Sequence, residues 1–145
     1  MVCGTLVFGQ MPNPYGPPVA VDIAKKVAAA AVAEAQKNNW NMAIAIVDGG
    51  GNLVYFEKMN ETQIGSIDVS ISKAKAAVLF KRPTKAHQDA LAAGNTLLLK
   101  VPGAMPVEGG IPLLSDGKIV GAIGVSGGNS TQDGACATAG AAALK

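Results

Sequence analysis

The sequence has few of the residues on which several common functions depend. Of its 145 residues only 15% are charged, 4% are aromatic and one is a histidine. The 12 basic and 10 acidic residues form no block of like charge, and only Lys81, Arg82 and Lys85 cluster. Because a nucleic-acid surface needs a clustered basic face, we expect no nucleic-acid partner. No apolar run reaches the length of a membrane span, so we expect no membrane partner either.

Cysteine is equally scarce, with Cys3 and Cys136 as the only two. A disulfide framework in a secreted domain usually needs more, and the opening MVCGTLVFGQMP has neither the basic start nor the apolar length of a signal peptide. We therefore expect a cytoplasmic protein with both thiols reduced. The sequence has no CxxC, no HExxH and no paired histidines, so a dedicated zinc site is not expected.

What the sequence does contain is mostly small and apolar. Hydrophobic residues make up 49% of the chain, and there are 18 glycines. The length suits one domain with a substantial core. A surface this poor in charge favours self-association, so we expect copies of the chain to cover part of it.

The order of the predicted elements indicates one architecture. Residues 1–18 are a Pro-rich extended lead-in, and residues 19–145 form a single domain. In that domain the patterns predict a helix over 19–37, a hairpin over 42–59, helices over 66–82 and 84–94, a hairpin over 107–125, and a final helix capped by Asn129 or Ser130. Antiparallel hairpins alternating with helices predict an α/β sandwich around one antiparallel sheet.

The stretch IVGAIGVSGGNSTQD, residues 119–133, resembles a phosphate loop but lacks its chemistry. No lysine follows the glycines, and their spacing misses the dinucleotide fingerprint. Glycines inside the strand, Gly121 and Gly124, let another backbone or a flat ligand approach closely. Gly127 and Gly128 leave backbone N–H groups at a helix N-terminus, which is a site for a carboxylate.

Three blocks of sequence carry a resemblance to a known family. AIVDGGGNLVYFEKM, SKAKAAVLFKRPT and EGGIPLLSDGKIVGAIGVSGGNSTQD, taken in this order, resemble the GlcG/HbpS family over roughly residues 20–145. Members are haem-binding-like proteins that also form the C-terminal domain of PduO-type corrinoid adenosyltransferases. The resemblance implies a profilin-like three-layer α/β/α sandwich that assembles as a homo-oligomer, a tetramer or an octamer. It also implies binding of haem or a corrinoid, in some members with haem degradation.

The candidate site residues follow from these glycine-rich strands. Glu108 precedes two glycines and is a candidate polar anchor or acid–base group, and Arg82 is a candidate grip for a carboxylate. The full set expected to contact a ligand is Arg82, Glu108, Gly109, Gly110, Gly124, Ser126, Gly127 and Gly128.

A haem would also need an axial ligand. His87, the only histidine, is one candidate, although a helix residue exposed to solvent is the alternative interpretation. Other candidates are Met59, Met105, Tyr55 and Thr62.

Three functions remain open at this point. The first is an oligomeric cytoplasmic protein that binds a small or planar molecule, with haem or a corrinoid first. The second is an enzyme that acts on a small carboxylated or carbonyl metabolite, with Glu108 as acid or base. The third is an accessory subunit for a glycolate or diol/glycerol pathway.

Overall fold

The computed structural model describes residues 9–144, so Cys3 lies outside the described residues. The elements are α1 (Val21–Lys37), β1 (Ala43–Asp48), β2 (Leu53–Lys58), α2 (Ser66–Leu79), α3 (Thr84–Ala92), a 3-10 turn (Thr96–Lys100), β3 (Gly110–Ser115), β4 (Lys118–Ser126) and α4 (Ser130–Ala142). The four strands form one antiparallel sheet in the order β2-β1-β4-β3, which makes β2 and β3 its two edges. Within residues 9–144 no helix is long and apolar enough to cross a membrane.

The sheet buries apolar side chains on both faces. Alternate residues of β1 point to opposite sides, so Ile44 and Ile46 pack with α1 and α4, while Ala45 and Val47 pack with α2. The helices therefore form two outer layers around the sheet. The predicted α/β/α sandwich around one antiparallel sheet is confirmed.

The local signals at the final helix are confirmed as well. Asn129 is the N-cap of α4, and its side chain accepts a hydrogen bond from the Gln132 backbone N–H at 2.9 Å. The Gln132 side chain accepts in return from the Asn129 N–H at 3.1 Å. This capping box satisfies two N–H groups that the first turn of a helix leaves free.

The second helix ends earlier than predicted. It ends at Leu79 instead of Arg82, and Lys81 has a φ of +53°, which is incompatible with a right-handed helix. The Lys81 carbonyl accepts a hydrogen bond from the Met11 N–H at 2.8 Å. In this way the described part of the lead-in is bound to the end of α2 of its own chain.

The helix α2 lies unusually close to the backbone of β4. Its buried face consists largely of small side chains such as Ser70 and Ala74. A Cβ atom at Gly124 would overlap the Ser70 carbonyl oxygen and the Ala74 backbone nitrogen. Gly124 therefore serves the approach of another backbone, which was one of the two interpretations open from the sequence.

One charged side chain is buried in this layer. Lys73 of α2 is 1% exposed, and its Nζ donates to Asp133 Oδ2 at 2.8 Å and to the Val125 carbonyl at 3.0 Å. Asp133, in the first turn of α4, also accepts from the Gly128 N–H at 2.9 Å. The ion pair thus connects α2, β4 and α4.

Burial raises the pKa of the Asp133 carboxyl above its ordinary value. The Lys73 ammonium and the backbone N–H groups of Gly128 and Gly127 act in the opposite direction. Because a buried charge is costly without its partners, the two residues depend on each other.

The close packing at Gly124 predicts the result of a pair of glycine substitutions. Gly124→Ala should lower the free energy of unfolding by about 3 kcal/mol or more, because the added methyl group meets backbone atoms that cannot turn away. Gly65→Ala is the matched control, since Gly65 has open space around its Cβ position and an ordinary helical backbone. Urea denaturation would measure both variants. Equal stability of the two would contradict the close approach of α2 to β4.

The buried ion pair predicts a large cost when one partner is removed. Lys73→Met should lower the free energy of unfolding by about 3–5 kcal/mol, because it leaves Asp133 buried without a counter-charge. The double variant Lys73→Met/Asp133→Asn should recover part of this loss. Lys75→Met, an exposed position of the same helix, is the control and should cost little. A loss below about 1 kcal/mol in Lys73→Met would show that the pair is not buried as described.

Candidate functional site

A small cavity lies where α3, β3 and α4 meet. Its volume is about 200 Å³, and we call it the Glu108 cavity. It is lined by Pro83, Lys85, Glu108, Gly109, Gly110, Ile111, Gly134 and Thr138. The lining includes Glu108, Gly109 and Gly110, three consecutive residues that were expected from the sequence to contact a ligand.

The Glu108 cavity adjoins a wider groove. This β3–α4 groove has a volume of about 530 Å³ and shares Ile111 and Thr138 with the cavity. Its lining is almost entirely apolar and consists of Ile111, Pro112, Leu114, Thr138, Ala141, Ala142 and Leu144. The two spaces form one continuous concave surface that is largely apolar, with the charged side chains Lys85 and Glu108 at its cavity end.

Both glycines beside Glu108 are required by close packing. Gly109 has a φ of +132°, and a Cβ atom there would lie 2.9 Å from Lys73 Nζ. A Cβ atom at Gly110 would overlap the Lys73 carbonyl oxygen. The Gly110 N–H donates to the Thr84 hydroxyl at 2.9 Å, which fixes the start of α3 against β3. The ammonium of Lys73 therefore lies directly behind this wall of the cavity.

Glu108 is held at both its backbone and its side chain. Its N–H donates to Gln88 Oε1 of α3 at 2.7 Å. Its carboxylate rests on α4 at Gly134, where a Cβ atom would overlap Oε1. Because Gly134 has no side chain, it makes room for the Glu108 carboxylate against α4.

Lys85 supplies the positive charge of the cavity. Its Nζ donates to the two carboxylate oxygens of Asp89 at 3.0 and 3.1 Å. This hydrogen bond raises the pKa of Lys85, and the charges of Asp89 and Glu108 add to the effect. Lys85 is therefore charged at neutral pH, and its side chain is 54% exposed, so a ligand can reach it.

Arg82, the cation selected from the sequence, does not line this cavity. Its Nε donates to the Phe80 carbonyl at 3.0 Å. Its neighbour Lys81 lies over the ring of Tyr15, 5.1 Å from the ring centre. The turn after α2 directs both residues elsewhere, and the cation that lines the cavity is Lys85.

The remaining predicted contact residues are engaged inside the protein. Gly124 is covered by α2, and the buried Ser126 hydroxyl donates to the Ser66 hydroxyl at 3.1 Å. A Cβ atom at Gly127 would overlap the Asn41 carbonyl oxygen. The Gly128 N–H, expected to bind the carboxylate of a ligand, binds the carboxylate of Asp133 instead.

His87 belongs to the packing of α3. It is 7% exposed, which rules out the alternative of a solvent-exposed helix residue. Its ring meets Phe80 edge to face at 5.5 Å, and its Nδ1 is buried without a hydrogen-bond partner. Burial and, to a smaller extent, the charge of Arg82 lower the pKa of His87, so it is neutral at neutral pH. It lines neither the cavity nor the groove.

The other candidate axial ligands lie away from the groove too. Tyr55 is in β2 and Met59 directly follows it, at the opposite edge of the sheet from β3. The buried Thr62 hydroxyl donates to the Met42 carbonyl at 3.1 Å. Met105 is not a lining residue of the cavity or the groove.

Comparison with known proteins finds relatives both by sequence and by structure. The sequence is 39% identical to Protein GlcG of Escherichia coli K12 over 104 residues, which are 72% of this chain and 78% of GlcG. The structure is similar to a double mutant of Streptomyces reticuli HbpS, with a TM-score of 0.82, 32% identity and coverage of 90% and 89% of the two chains. It is also similar to the PduOC:heme complex, with a TM-score of 0.80, 27% identity and coverage of 88% and 96%.

A sequence model of a protein family also matches most of the chain. The model described as "Haem degrading protein HbpS-like" matches residues 19–142. This span contains the whole sheet, the Glu108 cavity and most of the β3–α4 groove. The chain belongs to the HbpS-like family, as the three sequence blocks indicated.

Proposed function

We propose that this protein binds a planar, largely apolar molecule that carries carboxylates, and that haem is the first candidate. The observation that carries this proposal is the continuous surface formed by the β3–α4 groove and the Glu108 cavity, with Lys85 at its polar end. The apolar ring would lie in the groove, and a carboxylate would reach Lys85. The HbpS-like family and the heme complex of PduOC support haem as the ligand.

The described residues meet two of the three needs of a haem site. An apolar slot and a cation for the propionates are present, whereas no usual axial ligand lines the groove or the cavity. When bound, haem would supply a redox-active iron, but the residues described here give no reason to place a reaction on it. No observation favours a corrinoid, which remains a prediction of the sequence resemblance.

The alternative of an enzyme with Glu108 as acid or base concerns the same cavity. Glu108 shares that cavity with Lys85, but its carboxylate is placed against α4. The place of Glu108 in the cavity is all that supports this alternative. An accessory role in a glycolate or diol/glycerol pathway likewise remains a prediction.

Self-assembly is part of the proposal. Large apolar side chains are exposed in and near the 3-10 turn, with Leu97 at 75% and Leu99 at 65%. A monomer in water gains by covering such residues. We therefore propose a homo-oligomer. The resemblance to the family implies a tetramer or an octamer, and light scattering of the purified protein would measure the number of subunits.

The role of Lys85 predicts the effect of removing one charge. Lys85→Met should weaken hemin binding by about two- to fivefold, the range expected for one exposed ion pair, with the Soret absorbance as the readout. Lys37→Met is the matched control, because Lys37 also sits in an exposed helical ion pair, 3.8 Å from Glu34, and should bind hemin like the unchanged protein. Asp89→Asn should strengthen binding, because it releases Lys85 from a competing carboxylate. Absence of any saturable hemin binding would contradict haem as the ligand.

A further inference from the structure

We infer that this site holds a tetrapyrrole by its ring and its carboxylates, without coordinating the central metal. The inference rests on the proposed function, because it takes the β3–α4 groove as the place of the ring. It goes further by naming the class of ligand: planar apolar molecules with carboxylates, whether or not they contain a metal. The reasons lie in what lines the groove and in where the metal-binding side chains of this chain are held.

The lining offers contacts to a ring but none of the usual ligands for iron. Haem iron is held in proteins by histidine, cysteine, methionine or tyrosine. Among the described residues that line the groove and the cavity, none is of these four types. The hydroxyl of Thr138, which lines both spaces, donates to the Gly134 carbonyl at 2.8 Å. The lining instead presents aliphatic side chains such as Leu114 and Ile111, which pack well against a flat ring.

The two charged residues of the cavity are engaged in other ways. Lys85 is protonated and donates to Asp89, so its nitrogen has no free electron pair for a metal. The carboxylate of Glu108 rests against Gly134 of α4, in the cavity and not in the lining of the wider groove. Lys85 can therefore attract a propionate at the end of the groove, and a ring held in this way would have its centre over aliphatic groups.

Four metal-binding side chains of the described residues are held elsewhere. To reach the groove, His87 would have to leave its place against Phe80, where its side chain is buried and only 7% exposed. Tyr55 and Met59 belong to the β2 edge, three strand spacings or about 14 Å from β3 across the sheet. Cys136 is fully buried, and burial raises its pKa to about 11, so the thiol is not ionised. None of these groups reaches the β3–α4 groove without a rearrangement of the fold.

This geometry predicts that the metal contributes little to affinity. Metal-free protoporphyrin IX has the same ring and the same two propionates as hemin. If only ring and carboxylates are recognised, the two compounds should bind with dissociation constants within about threefold of each other, a small difference on the scale of tenfold per 1.4 kcal/mol.

A competition experiment tests this directly. The full chain is loaded with protoporphyrin IX, its fluorescence is followed, and hemin is added until the porphyrin is displaced. The ratio of the two affinities should be close to one, or should favour the metal-free compound. His87→Ala and Glu108→Gln should leave that ratio unchanged.

A pair of leucine variants connects the result to the groove. Leu114→Asp should weaken both compounds equally, by about tenfold or more, because it places a charge where the ring is buried. Leu53→Asp is the matched control, since Leu53 is an exposed leucine of the opposite edge strand, at 50% against 36% for Leu114. It should bind both compounds like the unchanged protein.

The outcomes separate this inference from the proposed function. Hemin binding more than about tenfold tighter than protoporphyrin IX, or a loss of hemin binding alone in His87→Ala, would overturn the inference and leave haem binding intact. Binding of neither compound would overturn both. Equal binding that Leu114→Asp leaves unchanged would show that the ring lies outside the β3–α4 groove and would overturn the inference as argued here.

Discussion

The buried ion pair of Lys73 and Asp133 fixes the place where the two helical layers and the sheet meet. Lys73 reaches from α2 past the end of β4 to Asp133 in the first turn of α4. The pair can stay charged in the interior only because Lys73 also binds the Val125 carbonyl and Asp133 also binds the Gly128 N–H. The hydrogen bonds of this pair hold α2 against Gly124 and α4 against the end of β4. The wall formed by Gly109 and Gly110 follows, since both glycines lie against Lys73.

This constraint also occupies one place where an anion could otherwise bind. The N-terminus of α4 would be available to an anion in many proteins, but Asp133 already uses the N–H of Gly128. One open concave surface is the outer side of β3, between that edge strand and α4. Pro112 cannot donate a backbone hydrogen bond, which disfavours the addition of another strand along this edge. The edge is thus suited to contacts between side chains and an apolar molecule.

Much of the fold could be predicted because its signals are local. The Asn129 capping box and the two hairpins depend on neighbouring residues. Glu108, Gly109 and Gly110 could be selected for a similar reason, since an acid beside two glycines in a strand-like run is visible without a structure. The three residues line the Glu108 cavity, and their contact with a ligand stays a prediction. Gly124 was recognised as a point of close approach, although the sequence could not say whether a ligand or a helix would approach it.

The remaining features depend on contacts between residues distant in the chain. Lys73 resembles an ordinary surface lysine until α4 supplies Asp133, which is 60 positions away. Arg82 was selected because it lies in the SKAKAAVLFKRPT block that carries the resemblance, but the left-handed turn at Lys81 redirects the chain, and Lys85 is the cation that lines the cavity. The burial of His87 likewise depends on the same corner, where Phe80 meets α3.

The crystal structure of the complex with protoporphyrin IX tests the central claim most directly. The ring should lie in the β3–α4 groove, over Leu114 and Ile111, with one propionate within hydrogen-bond distance of Lys85 Nζ and with His87 still against Phe80. A ring bound at the β2 edge of the sheet, or a structure in which His87 has turned out of the interior towards the ring, would contradict the account.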